Sequence, residues 1–236
     1  MTNVEAAVAL TIELGLDIAP VALAFVDAPP HGCAISAAVV PSACGFWREA
    51  EKGVFFAPAA AHFNCPVGAM VMGFDLPQAV SEELTQVVGM MTKCGYVSAE
   101  EPGSIPTNKP GAKGIVYGPL SDFPLEPDAV LIWLIPAQAM IWGEAIGGAE
   151  WGGASLTVTG RPACAAIPQS LGEGRAALSL GCIGMRTFTG IAPERMLAVL
   201  PGAKLTPVTQ ALARMHAVND RMAQFYRGRL DALAVE

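Results

Sequence analysis

Four of the six cysteines occur in two pairs whose sequence surroundings are closely similar. The first pair is Ser-Ala-Cys at residues 42–44 with Cys-Pro-Val-Gly at 65–68, and the second is Pro-Ala-Cys at 162–164 with Cys-Ile-Gly at 182–184. In both pairs a glycine stands eight positions after the second cysteine. Because a duplicated fold can bring corresponding residues together at its centre, we expect four thiols to converge there. Thiolate sulfur is a soft ligand, so this set predicts a soft-metal or iron–sulfur site.

The spacing of these cysteines favours a cluster over a single zinc ion. Zinc sites usually take two cysteines that are separated by two to four residues, whereas Cys44 and Cys65 are 21 positions apart and Cys164 and Cys182 are 18 apart. A cluster is larger and can take its ligands from separate elements. Pro66 suits the first position of a helix, so we expect Cys65 at a helix N-terminus, where backbone N–H groups favour a thiolate.

Polar side chains near these motifs are candidates for contacts to a cofactor. Arg186 stands four positions after Cys182 and would offset the negative charge of a four-thiolate cluster. Asn64, directly before Cys65, and Gln138 would supply hydrogen bonds. The remaining cysteines, Cys33 and Cys94, have no counterpart in the other pair and are interpreted as free thiols.

Several other interpretations of these residues stay open. Free cysteine is among the most buried residue types, so the four thiols could simply pack in the core. They could also form a thiol–disulfide switch, or His62 could activate Cys65 as a nucleophile. A further alternative is a metal-free binding module or enzyme with an apolar pocket between the two halves. The residues proposed to line that pocket are Trp47, Phe63, Trp133, Met140 and Trp142, with Asn64, Gln138, Glu144 and Arg186 as polar contacts.

The amino-acid composition limits the kinds of partner that this protein is expected to bind. The 236 residues are 53% hydrophobic and only 15% charged, which predicts a large core and an apolar partner surface, most simply in a homo-oligomer. The net charge of −7 argues against a nucleic-acid partner, which would need a basic stripe. The N-terminus lacks the basic region of a signal peptide, and the longest uncharged apolar segment, residues 129–143, is too short to span a membrane. These features predict a cytoplasmic protein.

The order of predicted elements alternates strand and helix twice. This favours an α/β fold, with α+β as the alternative, in which two pseudo-symmetric halves form one domain over residues 1–236. The repeats are expected at approximately 18–98 and 113–203, followed by a long amphipathic helix at 206–230. A helix is predicted at 3–16 with Val4, Val8, Leu10 and Ile12 on its apolar side, and another at 193–200.

Four segments together resemble the domain of unknown function 169 family. They are Ala-Cys-Gly-Phe-Trp-Arg-Glu-Ala at 43–50, Cys-Pro-Val-Gly at 65–68, Pro-Ala-Gln-Ala-Met at 136–140 and Ser-Leu-Gly-Cys-Ile-Gly-Met-Arg at 179–186. The resemblance covers roughly residues 5 to 225 and implies a single domain from the prokaryotic cytoplasm. Members of that family are common in anaerobes and sometimes adjoin ferredoxin-type cysteine segments, which favours redox or cluster chemistry. This sequence has no ferredoxin segment.

The sequence therefore predicts a cytoplasmic iron–sulfur or metal-binding protein, with a [4Fe–4S] cluster as the suspected cofactor. Its ligands would be Cys44, Cys65, Cys164 and Cys182. The expected role is that of a redox protein or of a lyase-type enzyme that acts on a small molecule.

Overall fold

A single mixed β-sheet forms the centre of the protein. The computed structural model describes residues 1–109, 111–147 and 157–233. Within them the sheet has seven strands in the order β2-β3-β1-β4-β7-β6-β5, and neighbours are antiparallel except for β5 and β6. The strands are β1 (Val21–Val26), β2 (Phe55–Pro58), β3 (Gly114–Pro119), β4 (Ala129–Leu134), β5 (Thr157–Thr159), β6 (Ala177–Ser179) and β7 (Met196–Pro201). Residues 154–156 of a strand predicted at 154–159 lie outside the described residues.

Helices cover both faces of this sheet. They are α1 (Asn3–Leu14), α2 (Gly45–Glu49), α3 (Pro66–Val71), α4 (Gln78–Lys93), α5 (Pro136–Ala145), α6 (Ala166–Glu173), α7 (Ile183–Thr189) and α8 (Leu205–Leu233). The predicted α/β class and the long C-terminal helix are confirmed. None of the helices within the described residues is long and apolar enough to cross a membrane.

The burial of β4 shows why the fold has three layers. Successive side chains of a strand point to opposite faces, and all six residues of β4 are buried. Leu131 and Trp133 pack in the core that α2, α3, α6 and α7 cover, whereas Ile132 and Leu134 pack in the core under α1, α5 and α8. The sequence of a strand that is buried on both faces is a continuous apolar run. Residues 129–135 form such a run and predict a strand, which the structure confirms as β4.

The connectivity of the strands repeats along the chain. In the first part, β3 is hydrogen-bonded between β1 and β2. In the second part, β7 is hydrogen-bonded between β4 and β6, and β5 pairs with the outer side of β6. The two groups meet where β1 pairs antiparallel with β4. The sequence assigns residue 113 onwards to the second repeat, but β3 pairs with β1 and β2. The limits of the two repeats stay a prediction.

Two local predictions are wrong. Residues 193–200 were expected to be helical, but most of this segment lies in β7, between β4 and β6. A short apolar run does not distinguish a buried strand from a buried helix by its periodicity. In α1 three residues of the predicted apolar side, Val4, Val8 and Ile12, are exposed, whereas the fourth, Leu10, is buried as predicted. The other buried positions of this helix are Ala6, Ala7 and Leu14.

Candidate functional site

Two of the four cysteines begin helices in the same way. Cys65 is the N-cap of α3, and its sulfur accepts a hydrogen bond from the backbone N–H of Gly68 at 3.3 Å. Cys182 is the N-cap of α7, and its sulfur accepts one from the N–H of Met185 at 3.4 Å. The expectation that Pro66 opens a helix behind Cys65 is confirmed. Each thiol therefore lies where backbone N–H groups stabilise a negative charge.

The glycines that follow these helices are also equivalent. Gly73 has a φ of 80° after α3, and Gly190 has a φ of 60° after α7. Both are in the left-handed region that ends helices and favours glycine. The sequence match of Cys65 with Cys182 is thus accompanied by the same helix start and by a glycine of positive φ at the end, which is the C-cap itself in α7 and follows the C-cap Met72 in α3.

The other two cysteines, Cys44 and Cys164, are less exposed to solvent than Cys65 and Cys182. Cys44 directly precedes α2, and Cys164 lies in a 3₁₀ helix, Ala163–Ala165, that leads into α6. Their exposed fractions are 8% and 6%, respectively, whereas Cys65 and Cys182 are partly exposed. The hydroxyl of Ser42 lies 3.1 Å from the sulfur of Cys44. Two thiols therefore lie in the core and two lie nearer the surface.

Helix packing connects the cysteines of the two pairs crosswise. Helix α2, which follows Cys44, contacts α7, which begins after Cys182. Helix α3, which follows Cys65, contacts the 3₁₀ helix that contains Cys164.

Within the first pair, Gly68 lies against Ala43. A Cβ at residue 68 would lie only 2.8 Å from the Cβ of Ala43 and 3.0 Å from the sulfur of Cys65. Glycine at this position therefore allows the start of α3 to approach the residue before Cys44.

The pKa shifts of the two buried thiols include contributions from the other cysteines. The pKa of Cys44 is raised to about 12, mainly by burial; the hydrogen bond with Ser42 opposes the shift, and the thiols of Cys65 and Cys182 add to it. Burial raises the pKa of Cys164 well above its usual range, with additional contributions from Cys44, Cys65 and Cys182. Since a like charge disfavours ionisation only at short range, the fold brings together thiols from both pairs.

The grouping of possible metal ligands bears on which metal centre the thiols could hold. In the described parts of the chain, no three histidine, cysteine, aspartate or glutamate side chains are grouped closely enough to hold one ion. An iron–sulfur cluster spans a larger volume and takes four thiolates that need not touch one another. A set of four sulfur donors is found both in iron–sulfur clusters and in four-cysteine zinc sites.

A buried histidine–tyrosine pair lies beside the cysteines. The Nδ1 atom of His62 lies 3.0 Å from the carbonyl oxygen of Pro58, and its Nε2 atom lies 3.1 Å from the hydroxyl of Tyr117. A carbonyl oxygen can only accept, so Nδ1 carries the hydrogen and the Tyr117 hydroxyl donates to Nε2. Burial lowers the pKa of His62 to about 4, which keeps the ring neutral. Both ring nitrogens are occupied, so His62 is not placed to deprotonate Cys65.

Tyr117 is a neighbour of the site that the sequence did not reveal. Burial raises the pKa of its phenol, and Cys164 and Cys44 raise it further. It lies on β3, and its pairing with His62 depends on a contact between residues 55 positions apart. Ser42 was also missed as a partner of Cys44, although Ser-Ala-Cys at 42–44 could have indicated it.

The predicted polar contacts have structural partners of their own. Arg186 lies on α7 and donates to the carbonyl oxygens of Leu180, Pro193 and Arg195, which fixes the loops on both sides of this helix. The side chain of Asn64 donates to the carbonyl oxygen of Val40 at 3.1 Å, tying the segment before Cys65 to the segment before Cys44.

Gln138 lies away from the cysteines, on the opposite face of the sheet. Its amide donates to the carbonyl oxygen of Gly15 at 2.9 Å, and its oxygen accepts from the N–H of Ile135. The sheet also divides the aromatic set proposed to line a pocket. The rings of Trp47 and Trp133 pack on the cysteine side with centroids 6.2 Å apart, whereas Trp142 is buried on the other side. These residues do not line one pocket.

The remaining cysteines are separate from this group. All six cysteines are free thiols. Cys33 packs against the core on the opposite face, and Cys94 is exposed at the end of α4. Neither is among the groups that shift the pKa of Cys44 or Cys164.

Fold and site together define a three-layer α/β protein with four cysteine thiols, two from each pair, gathered on one face of its sheet. No curated protein and no solved structure matches the chain. A family model does match over residues 9–211, and the chain belongs to the domain of unknown function 169 family, DUF169, which is described as uncharacterised ArCR.

Proposed function

We propose that this protein binds an iron–sulfur cluster through Cys44, Cys65, Cys164 and Cys182. The observation that carries the proposal is the packing of α2 on α7 and of α3 on the 3₁₀ helix that contains Cys164, because it joins the elements that hold the two cysteine pairs. The contributions of Cys65 and Cys182 to the raised pKa values of Cys44 and Cys164 agree with this packing. Burial alone would explain Cys44 and Cys164, but it does not explain why two partly exposed thiols cap helices beside them. In a cluster, iron would take the place of the protons that the buried thiols otherwise keep, because each cysteine sulfur binds iron as a thiolate and releases its proton.

The surrounding residues suit a negatively charged centre. The N–H groups of Gly68 and Met185 and the hydroxyl of Ser42 lie where they would donate to ligand sulfurs. Hydrogen bonds to sulfur and burial are two of the factors that set the potential of a cluster. Arg186 holds the loops on both sides of α7 and places a positive charge near Cys182. A bound cluster would supply one-electron redox chemistry, or Lewis-acid activation of a small molecule at an iron atom.

The test is to purify the chain without oxygen and measure iron, acid-labile sulfide and the visible absorption spectrum. We expect iron and sulfide in the parent protein and their loss from each of Cys44→Ser, Cys65→Ser, Cys164→Ser and Cys182→Ser. Cys33→Ser and Cys94→Ser are matched controls because they remove thiols that lie outside the group. A folded parent that contains no iron after cluster reconstitution would refute the proposal. Oxidised thiols without iron would instead favour the thiol–disulfide switch.

A glycine substitution tests the geometry without removing a ligand. In Gly68→Ala the new methyl group would lie 2.8 Å from the Cβ of Ala43, so α3 has to shift relative to Cys44. We expect less iron per chain. Gly89→Ala, on the exposed side of α4, has open space at this position and should keep the iron content of the parent. Equal iron contents in the two variants would contradict the proposed placement of Cys65.

A further inference from the structure

The distal half of α8 projects from the body of the protein. The first turns of this helix are held by Val208 and Leu212, which are buried against the core. The last described polar contacts with the body are His216 with Glu13 at 2.9 Å and Asn219 with Glu144 at 2.6 Å. Beyond these, every described residue from 221 to 233 is exposed except Ala223, which is half-buried.

This projecting segment carries a stripe of large apolar side chains. The exposed fractions are 44% for Met222, 56% for Phe225, 59% for Tyr226, 67% for Leu230 and 66% for Leu233. At 100° per residue these positions fall on one side of the helix. The stripe also continues the line of Val208 and Leu212, which packs against the body. The apolar face of α8 therefore extends past the surface that covers its first half.

A solvated helix of this kind is not stable by itself. Residues 221–233 extend about 20 Å at 1.5 Å per residue, and isolated helices shorter than about 12–15 residues are marginal in water. A helix that is held in place without tertiary contacts needs another surface to bury its apolar face. The area, composition and spacing of the stripe indicate what kind of surface covers this apolar face.

We propose that the distal α8 stripe is the interface at which two copies of this chain form a dimer. With about 200 Å² for a fully exposed side chain of this size, the five residues present on the order of 600 Å² per subunit, most of the ~800 Å² that each partner of a stable interface buries. Aromatic residues and methionine are enriched in interface cores. A two-fold axis lets the same stripe cover itself in both copies.

The spacing of the stripe is self-complementary. Met222 and Leu230 lie four positions before and after Tyr226, so antiparallel helices centred on Tyr226 set each Met222 against Leu230 of the partner subunit. Residues 221–233 carry three arginines and one aspartate, so an anionic lipid surface is the alternative that the experiment has to separate from a second copy.

The oligomeric state of the full chain tests this inference. Light scattering coupled to size exclusion should give twice the chain mass for the parent protein at tens of micromolar. The double variant Met222→Glu with Tyr226→Glu should be monomeric. The control Gln224→Glu with Gly228→Glu adds the same two charges at the same spacing on the opposite side of the helix, and it should remain a dimer.

A parent protein that is monomeric, a control variant that dissociates equally, or an apolar-face variant that stays dimeric would each overturn the inference. Association of a monomeric parent with phosphatidylserine-containing vesicles would also overturn it, in favour of a lipid surface.

If the apolar-face variant fails to fold, hydrogen exchange of the parent decides the question. The backbone amides of residues 221–233 should be protected from exchange at high protein concentration. Their protection factors should fall at least tenfold when the protein is diluted below the dimer dissociation constant. Protection that does not change with concentration would refute a second copy as the partner.

Discussion

Replacing Cys44 with alanine should remove part of the alkaline pH dependence of stability from the metal-free protein. Burial raises the pKa of the Cys44 thiol from its ordinary 9.0 to about 12. The unfolded chain therefore loses this proton at a lower pH than the folded chain does. The stabilisation is fully present below pH 9 and is lost as the pH rises through 12.

The size of the effect follows from the shift. One pKa unit corresponds to about 1.4 kcal/mol, so the free energy of unfolding should fall by roughly 2 kcal/mol between pH 9 and pH 11 because of Cys44 alone. The measurement is urea unfolding of metal-free protein, with a reductant and without oxygen, at intervals of half a pH unit. The difference in unfolding free energy between the parent and Cys44→Ala should shrink by that amount across the range.

The control is Cys94→Ala, since Cys94 is exposed at the end of α4. Its unfolding free energy should run parallel to that of the parent at every pH. If the Cys44→Ala curve also runs parallel, Cys44 is not buried as a neutral thiol. The proposal that a metal would displace the proton of Cys44 would then lose this support.

Two further predictions concern the structure around the site. Tyr117→Phe removes the hydroxyl that donates to the buried Nε2 atom of His62, and leaving that atom unpaired should cost about 1–3 kcal/mol of unfolding free energy; an unchanged urea midpoint would show that His62 has another donor. Gly202→Ala would place a Cβ 1.7 Å from the carbonyl oxygen of Pro127, so the loop must move and the melting temperature should fall sharply. Gly172→Ala, with open space in α6, should leave the melting temperature unchanged or slightly higher, and equal losses in both variants would contradict the packing.

The local features of the site could be predicted from the chain because they depend on neighbouring residues. Pro66 after Cys65 indicates a helix start, and the αL glycine 73 ends the same helix. The continuous apolar run of β4 indicates a strand buried on both faces. The similar surroundings of the two cysteine pairs indicate equivalent positions, and Cys65 and Cys182 do share the same cap interaction.

The assignment of residues to a layer could not be predicted in this way. Gln138 and Trp142 lie on α5, which covers the face opposite to the cysteines, although the sequence grouped both with residues near Cys65. Likewise, nothing near Tyr117 in sequence indicates that its hydroxyl meets His62. Contacts of this kind depend on strand order and on the direction in which each helix crosses the sheet.

The sequence by itself determined which residues have the chemistry for a sulfur-ligated centre, the helix start that holds Cys65, and the alternation of strands and helices. Tertiary structure decided that residues 196–201 complete the sheet as β7 instead of forming a helix, and that all four thiols lie on one face of that sheet. The physical reason is that caps and apolar runs are set by interactions within a few residues. The convergence of Cys44, Cys65, Cys164 and Cys182 depends on packing between helices that are far apart along the chain.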